Sequence, residues 1–298
     1  MADIGGIGQG PGEYKTIHFC MIDEKQKRIY LGPGRANKIL TYDLKGNYLS
    51  DEAIHFKEIV HKPCIWMDHD KKHVTVVGLP FSENENSNFE ISNNVCWVQN
   101  REGDIVHRIP VNHYGLIGDY SNGLVACRNV DAISFSIFED PMLRTRLDTL
   151  YHYDAVKNII TPCFTIDYVV SENQSACTVL YETSRSYWAQ VTLYPNNLSS
   201  SVSSVRLPAF NVCVSKKDGN VRRIDRFTDS LLGLSYPYLV MQNGYVCISY
   251  EPLELMDALD KVLTQTDLEP DVRKRATDLR NSLHENDNDI LIIGKLKQ

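Results

Sequence analysis

Several features that would identify a function are missing from this 298-residue sequence. It has no run of about 18 apolar residues, so no transmembrane segment is predicted. Its N-terminus lacks the charged and then apolar stretch of a secretion signal, so no signal is expected in the chain as written. An excess of positive charge is also lacking. The net charge of −7 argues against the basic surface of a nucleic-acid-binding protein, so no nucleic-acid partner is expected.

Common catalytic and cofactor motifs are absent as well. No nucleophile elbow of the G-x-S-x-G type occurs. The glycine-rich residues 5–12 are not followed by GK[ST] or by a helical pattern, as a phosphate-binding loop would require. A tight connection in which the ring of Pro11 fixes φ is the better interpretation. These absences favour a protein that is not an enzyme.

What the sequence does contain is a repeated strand pattern. Alternating apolar and polar residues at 14–23 predict a strand, and shorter strands are predicted at 28–31, 38–42 and 47–50, separated by polar or glycine-containing turns. A four-stranded sheet of this size cannot bury its own faces, so it predicts similar neighbours. Residues 67–74 repeat the order of residues 22–29 after about 45 residues, a spacing typical of propeller blades.

The rest of the chain continues the pattern. A second blade is predicted over 58–111, a third over 115–167 and a fourth over 171–214, the last with a strand at 202–207. Strands at 238–241 and 245–250 precede two segments with helical spacing of apolar residues, and an apolar run at 290–293 follows them. The predicted fold is therefore an all-β propeller, one domain over 1–298, with a helical hairpin at 252–286 inserted in its last blade.

Three segments carry a resemblance to a known family. They are an N-terminal motif at 10–14, the segment LYHYD at 150–154 and the ending DNDILIIGKLK at 287–297. Together they resemble a six-bladed β-propeller family, related to NHL-repeat propellers, of envelope lipoproteins in Gram-negative gut bacteria. The motif residues are Gly10, Pro11, Gly12, Glu13 and Tyr14.

The resemblance implies a place in the cell envelope or periplasm, and it implies no particular activity. Members of the family begin with a lipoprotein signal and a further blade before this motif. Here about five four-stranded blades are visible where the family implies six.

The best metal candidates in the sequence are four closely spaced residues of types that zinc accepts. Their spacing is not that of a standard zinc site, and a solvated hairpin also explains them, so no metal is predicted. The four residues are His61, Cys64, His69 and His73.

Other residues leave further possibilities open. Calcium at a central channel is possible if scattered acids converge there, and the acids considered are Asp119, Asp131, Glu182 and Asp225. The tryptophans Trp66, Trp97 and Trp188 could stack on a sugar or a peptide, although packing in the strand core is the more common use of such side chains.

Three function classes follow from these observations, the last of which is a purely structural envelope protein with no small ligand. The first is a non-enzymatic binding or scaffold propeller with an unknown glycan, peptide or protein partner and no cofactor. The second is a metal-dependent hydrolase or lyase with a site in the central channel. Neither the ligand nor the oligomeric state can be read from the sequence.

Overall fold

The structure is a computed structural model that describes residues 4–68, 72–81, 92–116, 122–139, 146–167, 169–195 and 209–296. Over these residues the chain is all-β apart from two α-helices and two short 3₁₀ turns. Its contacts divide it into two compact units. The first unit is Met1–Ala126 with Phe135–Cys163, and the second unit is Cys127–Ser134 with Phe164–Gln298.

Thirteen strands occupy the chain up to Ile166. They are β1 (Gly6–Ile7), β2 (Glu13–Tyr14), β3 (Ile17–Asp23), β4 (Arg28–Pro33), β5 (Arg35–Asp43), β6 (Ile54–Met67), β7 (His73–Leu79), β8 (Asn94–Asn100), β9 (Ile105–Pro110), β10 (Gly123–Cys127), β11 (Ile133–Phe138), β12 (Asp148–Asp154) and β13 (Ile159–Ile166).

Strands β3 to β9 form one seven-stranded antiparallel sheet in sequential order, and β10 to β13 form a four-stranded sheet, also in sequential order. The central strands β7 and β8 are buried along nearly their whole length, which agrees with their almost continuous apolar sequence. Strands β1 and β2 form a small parallel pair.

The remaining elements lie between Gln174 and Lys295. They are β14 (Gln174–Glu182), β15 (Ser186–Pro195), β16 (Ala209–Ser215), β17 (Val221–Ile224), β18 (Phe227–Thr228), β19 (Ser235–Tyr236), β20 (Val240–Gln242), β21 (Tyr245–Tyr250), α1 (Pro252–Leu263), α2 (Pro270–Ser282) and β22 (Ile290–Lys295). Strands β14 to β17 form a four-stranded sheet, and β20 to β22 form a three-stranded one.

The two helices lie between the paired strands β21 and β22. Each helix begins with a proline, whose fixed φ suits the first turn and whose missing N–H costs nothing there. The side chains of Leu255, Leu259 and Val262 lie on one face of α1 and are buried in an apolar cluster with Ala276 of α2. The cluster also covers one face of the three-stranded sheet, through Ile248 and other partly buried residues.

Two details of the predicted blades differ in the structure. The predicted strand at 47–50 is wrong, since this segment contributes only an isolated bridge from Tyr48 to Tyr42 before a 3₁₀ turn. The carboxylate of Asp43 accepts hydrogen bonds from the backbone N–H groups of Lys45 and Asn47, both at 2.9 Å, and holds the chain in a tight turn. Strand β6 takes the place beside β5 instead, which joins the first two predicted blades into one sheet.

Strands β7 to β13 lie within the second and third predicted blades, whereas β6 begins at Ile54, before the predicted start of the second blade at 58. The strand predicted at 202–207 lies outside the described residues, and the structure adds β16 and β17, which were not predicted. The prediction of a single domain over 1–298 stays a prediction.

Candidate functional site

The strongest candidate site lies in the first unit, where strands β3, β5 and β6 all depart from regular pairing. We call it the His61 site and define it by His18, Arg35, His61 and Lys62. Arg35 on β5 is the cross-strand partner of His61 on β6. His18 lies at the register shift between Ile17 and Phe19 in the pairing of β3 with β4. Three strands that are separate in sequence thus bring four basic residues together.

A proline explains why β6 is irregular here. Pro63 has no N–H to donate to a neighbouring strand, and prolines inside sheets are therefore confined to edges and bulges. The pairing of β6 with β7 shifts between His61 and Cys64. Lys62 adopts φ 46°, which is unusual for a residue other than glycine, and its N–H donates to the Gly34 carbonyl at 2.7 Å. Strained backbone of this kind is retained mainly where the surrounding structure or a function requires it.

His61 is the central residue of the site. Its side chain is nearly inaccessible, with 9% relative exposure, and its ring packs edge-on against Phe81 with centroids 4.9 Å apart. Burial, and then the charges of Arg35 and Lys62, lower the pKa of His61, so the imidazole is neutral at pH 7. Its Nε2 is buried and has no hydrogen-bond partner among the residues that the structure describes. A buried polar atom without a partner costs about 1–3 kcal/mol, so its retention calls for an explanation.

His18 experiences the same positive charge. Burial lowers the pKa of His18 to about 4, and the charge of Lys62 contributes. The ammonium of Lys62 also donates to the backbone carbonyl of Asn122. Groups with strongly shifted pKa values are concentrated at functional sites, which supports the choice of this site. Chemically, it offers a neutral imidazole and two cationic hydrogen-bond donors to one ligand.

The predicted metal candidates are not brought together among the described residues. His61 is opposite Leu79, the last residue of β7, whereas His73 is the first residue of the same strand. Cys64 lies between these two positions, opposite Val77, and is buried. His69 lies outside the described residues. Within the described part of the chain no three His, Cys, Asp or Glu side chains are arranged to hold a metal ion.

The acids considered for calcium have different surroundings. The carboxylate of Glu182 is fully buried and 2.7 Å from the Lys216 ammonium. Asp225 is exposed and pairs with Arg223 at 2.8 Å. Asp131 is an exposed turn residue whose carbonyl accepts a bond from Arg128, and Asp119 lies outside the described residues. The described acids therefore show no convergence on one point.

Two of the three tryptophans are buried in the core, and the third is partly exposed. Trp66 and Trp97 are core residues, and the indole N–H of Trp97 donates to Gln99 at 2.7 Å. Trp188 is only partly buried and packs beside Phe227, and its buried indole nitrogen has no partner among the described residues. Trp188 therefore remains open to the predicted stacking role, and the other two are structural.

The N-terminal motif has a structural role. The Glu13 carboxylate accepts the N–H of Gly10 at 2.7 Å, and Pro11 lies exposed between these two residues. Gly12 has φ 74°, and a side chain there would contact the ring of Tyr48. Its carbonyl accepts the hydroxyl of Tyr42 at 2.5 Å.

Tyr14 completes the motif by donating its hydroxyl to the Ile4 carbonyl at 3.1 Å. These bonds attach the loop to the first sheet, as expected of a tight connection.

Sequence reasoning considered His61 only as a metal ligand and missed its three neighbours. One signal was available. Pro63 interrupts an apolar strand pattern, and a proline in such a pattern indicates a bulge. The neighbours could not be identified from sequence because they come from other strands.

Over the described residues, the fold and the site together define a class: an all-β protein of several antiparallel sheets with one helical pair and a site of four basic residues around a buried histidine. The chain belongs to the family described as "Domain of unknown function (DUF4934)", whose profile matches residues 1–295. No curated protein matches the chain.

One solved structure has a similar fold over nearly the whole chain. A crystal structure named "Putative exported protein", from Bacteroides fragilis NCTC 9343, has a TM-score of 0.55 and 15% sequence identity to this chain, and covers 99% of this chain and 81% of its own. At this identity the likeness shows the fold alone. An acylaminoacyl peptidase from Pyrococcus horikoshii has a TM-score of 0.38 at 15% identity, over 78% of this chain and 35% of its own, which is too low to support an argument.

Neither α1 nor α2, the helices of the described residues, has the length and apolar character needed to cross a bilayer.

Proposed function

We propose that this chain is a non-enzymatic binding module built as a β-propeller, and that it binds a glycan, peptide or protein ligand at the His61 site. The observation that carries the proposal is the buried Nε2 of His61, which has no partner in the described part of the chain. A ligand that hydrogen-bonds this atom would remove the cost of leaving it unpaired. The adjacent cations would add charge-assisted bonds, which are stronger than neutral ones.

The propeller arrangement is part of this proposal. Two sheets, β10 to β13 and β14 to β17, each have four strands in sequential order, and the pairings of the second are antiparallel, which is the pattern of a propeller blade. The resemblance of the sequence to a six-bladed family supports the same arrangement. The name of the Bacteroides fragilis relative supports a location outside the cytoplasm, in the envelope or periplasm.

The test compares two changes on the same strand. His61→Phe keeps an aromatic ring that can pack edge-on against Phe81 but removes Nε2. His55→Phe makes the same change at an exposed position of β6. Wild type and both variants are applied to glycan and peptide arrays after circular dichroism and thermal melts have verified folding.

We expect at least one ligand that binds to wild type and His55→Phe and is lost with His61→Phe. Binding that both variants retain equally would remove the site from the proposal. No binding to either array by folded wild type would remove the proposed function for glycans and peptides, and a pull-down with purified envelope proteins would then test the protein class.

The hydrolase alternative is tested on the same sample by elemental mass spectrometry and a melt with and without EDTA. Stoichiometric calcium or zinc, together with a lower melting temperature in EDTA, would favour that alternative.

A further inference from the structure

The charges around the His61 site indicate the sign of the ligand. Arg35 is the cross-strand partner of His61, and Lys62 follows His61 in the chain, so two cations flank the imidazole. The lowered pKa values of His61 and His18 agree with these positions. A bound cation would meet repulsion from these groups, whereas an anion would be attracted. A guanidinium carries five N–H donors and an ammonium three, so each can serve a ligand in addition to the bonds it already makes.

The imidazole restricts the ligand further. His61 is neutral, so Nε2 either donates or accepts a hydrogen bond, depending on which nitrogen holds the proton. A hydroxyl group can do both, and it therefore pairs with Nε2 in either tautomer. The ligand that satisfies all of these groups has a carboxylate for Arg35 and Lys62 and a hydroxyl close to it for His61.

We infer that the His61 site binds a uronic acid unit of an acidic glycan, with the carboxylate at Arg35 and Lys62 and a ring hydroxyl at His61 Nε2. This inference rests on the proposed function and adds the ligand class. A uronic acid has hydroxyl groups on the carbons near its carboxylate. The aspartate and glutamate side chains of a peptide have none, so an acidic peptide could pair with Nε2 only through its backbone or another side chain.

The test is isothermal titration of the purified chain with trigalacturonic acid, trimannuronic acid, the methyl ester of each, and triglutamate. We expect at least one of the two acids to bind, its ester to bind at least tenfold more weakly, and triglutamate to bind at least tenfold more weakly than the acid. The affinity should fall when the salt concentration is raised from 50 to 500 mM, because salt screens charge interactions.

Three variants locate the binding. Lys62→Gln and Arg35→Gln should each weaken acid binding at least tenfold and reduce the difference between acid and ester. Lys57→Gln removes an exposed lysine of the same strand and should leave both affinities unchanged. Two separate site variants are used because the backbone at Lys62 is strained, and a melt of each one shows whether it folds.

The outcomes separate this inference from the proposed function. Equal binding of acid and ester, equal binding of triglutamate, or no binding of either acid would overturn the uronic acid assignment. The proposed function would survive these results if the arrays still showed a ligand that depends on His61. It would fail separately if wild type bound nothing on the arrays.

Discussion

The seven-stranded sheet of the first unit and the three-stranded sheet of the second unit bury their strands differently. In the first, β7 and β8 are buried on both faces, and the central residues of HVTVVGL and NVCWVQN are mostly apolar. In the second, β21 and the first four residues of β22 alternate between partly buried and exposed residues, and Ile293 is 62% exposed. One face of this second sheet packs on the helical pair, and the other presents apolar side chains to solvent.

The difference shows in which kind of sheet an unpaired polar atom indicates a ligand site. In a sheet with an open face, water can reach most polar groups. In a sheet buried on both faces, a polar group needs a partner inside the protein or in a ligand. The unpaired Nε2 of His61 belongs to the second case, which is why it identifies a candidate site.

The largest expected effect is a loss of stability, and it is measured by replacing one isoleucine in each of the two sheets. Ile65 on β6 is fully buried, so Ile65→Ala should lower the free energy of unfolding by about 4 kcal/mol, through lost burial and the cavity left behind. Ile293→Ala on β22 should change it by less than about 0.5 kcal/mol. Urea denaturation of both variants measures the difference. Similar values would mean that the exposed face of the second sheet is covered in solution.

The second prediction compares a buried ion pair of the second unit with an exposed ion pair of the first. We expect the loss of stability on removing the lysine to depend on the burial of its partner. Lys216→Met in the second unit removes the ammonium beside the fully buried Glu182 carboxylate and should cost about 3 kcal/mol. The double variant Glu182→Gln/Lys216→Met should recover part of this loss, because the uncompensated charge is gone. Lys57→Met breaks the exposed pair with Asp104 in the first unit and should have no measurable effect. Urea denaturation at pH 7 distinguishes the three.

The third prediction concerns pH. The pKa of His18 is about 4 in the folded chain, below its ordinary 6.5, so the unfolded chain takes up a proton first as the pH falls. The stability due to neutral His18 is therefore present above pH 6.5 and is lost as the pH falls towards 4. Between pH 7 and pH 4, wild type should lose about 2 kcal/mol more stability than His18→Gln. Equal losses in urea denaturation would contradict the burial of His18.

The smallest predicted effect is at the N-terminal loop of the first unit. Tyr42→Phe removes the buried hydroxyl that donates to the Gly12 carbonyl and should cost about 1 kcal/mol. Hydrogen exchange followed by mass spectrometry should show faster exchange in residues 5–14, with little change in β7 and β8. Unchanged exchange in the loop would mean that other contacts hold it.

Strands and helices could be predicted from short segments of the sequence, whereas the pairing of distant strands could not. Strands β7 to β13 lie within the second and third predicted blades, because alternating and continuous apolar patterns are local signals. The helices were also found, since Pro252 and Pro270 and the apolar spacing after them are contained in short segments. The strand at 47–50 was wrong because the turn at Asp43 and the longer β6 compete for the same edge of β5.

By itself, the sequence determined the all-β class, most strand positions and the helical pair between the last two strands. Only the tertiary structure decided that β5 pairs with β6, and hence that Arg35 lies beside His61 and that Lys62 lies near His18. The physical reason is range. Strand and turn preferences depend on neighbouring residues, whereas register depends on pairing between distant segments, and a shift of one residue would turn His61 to the other face of the sheet.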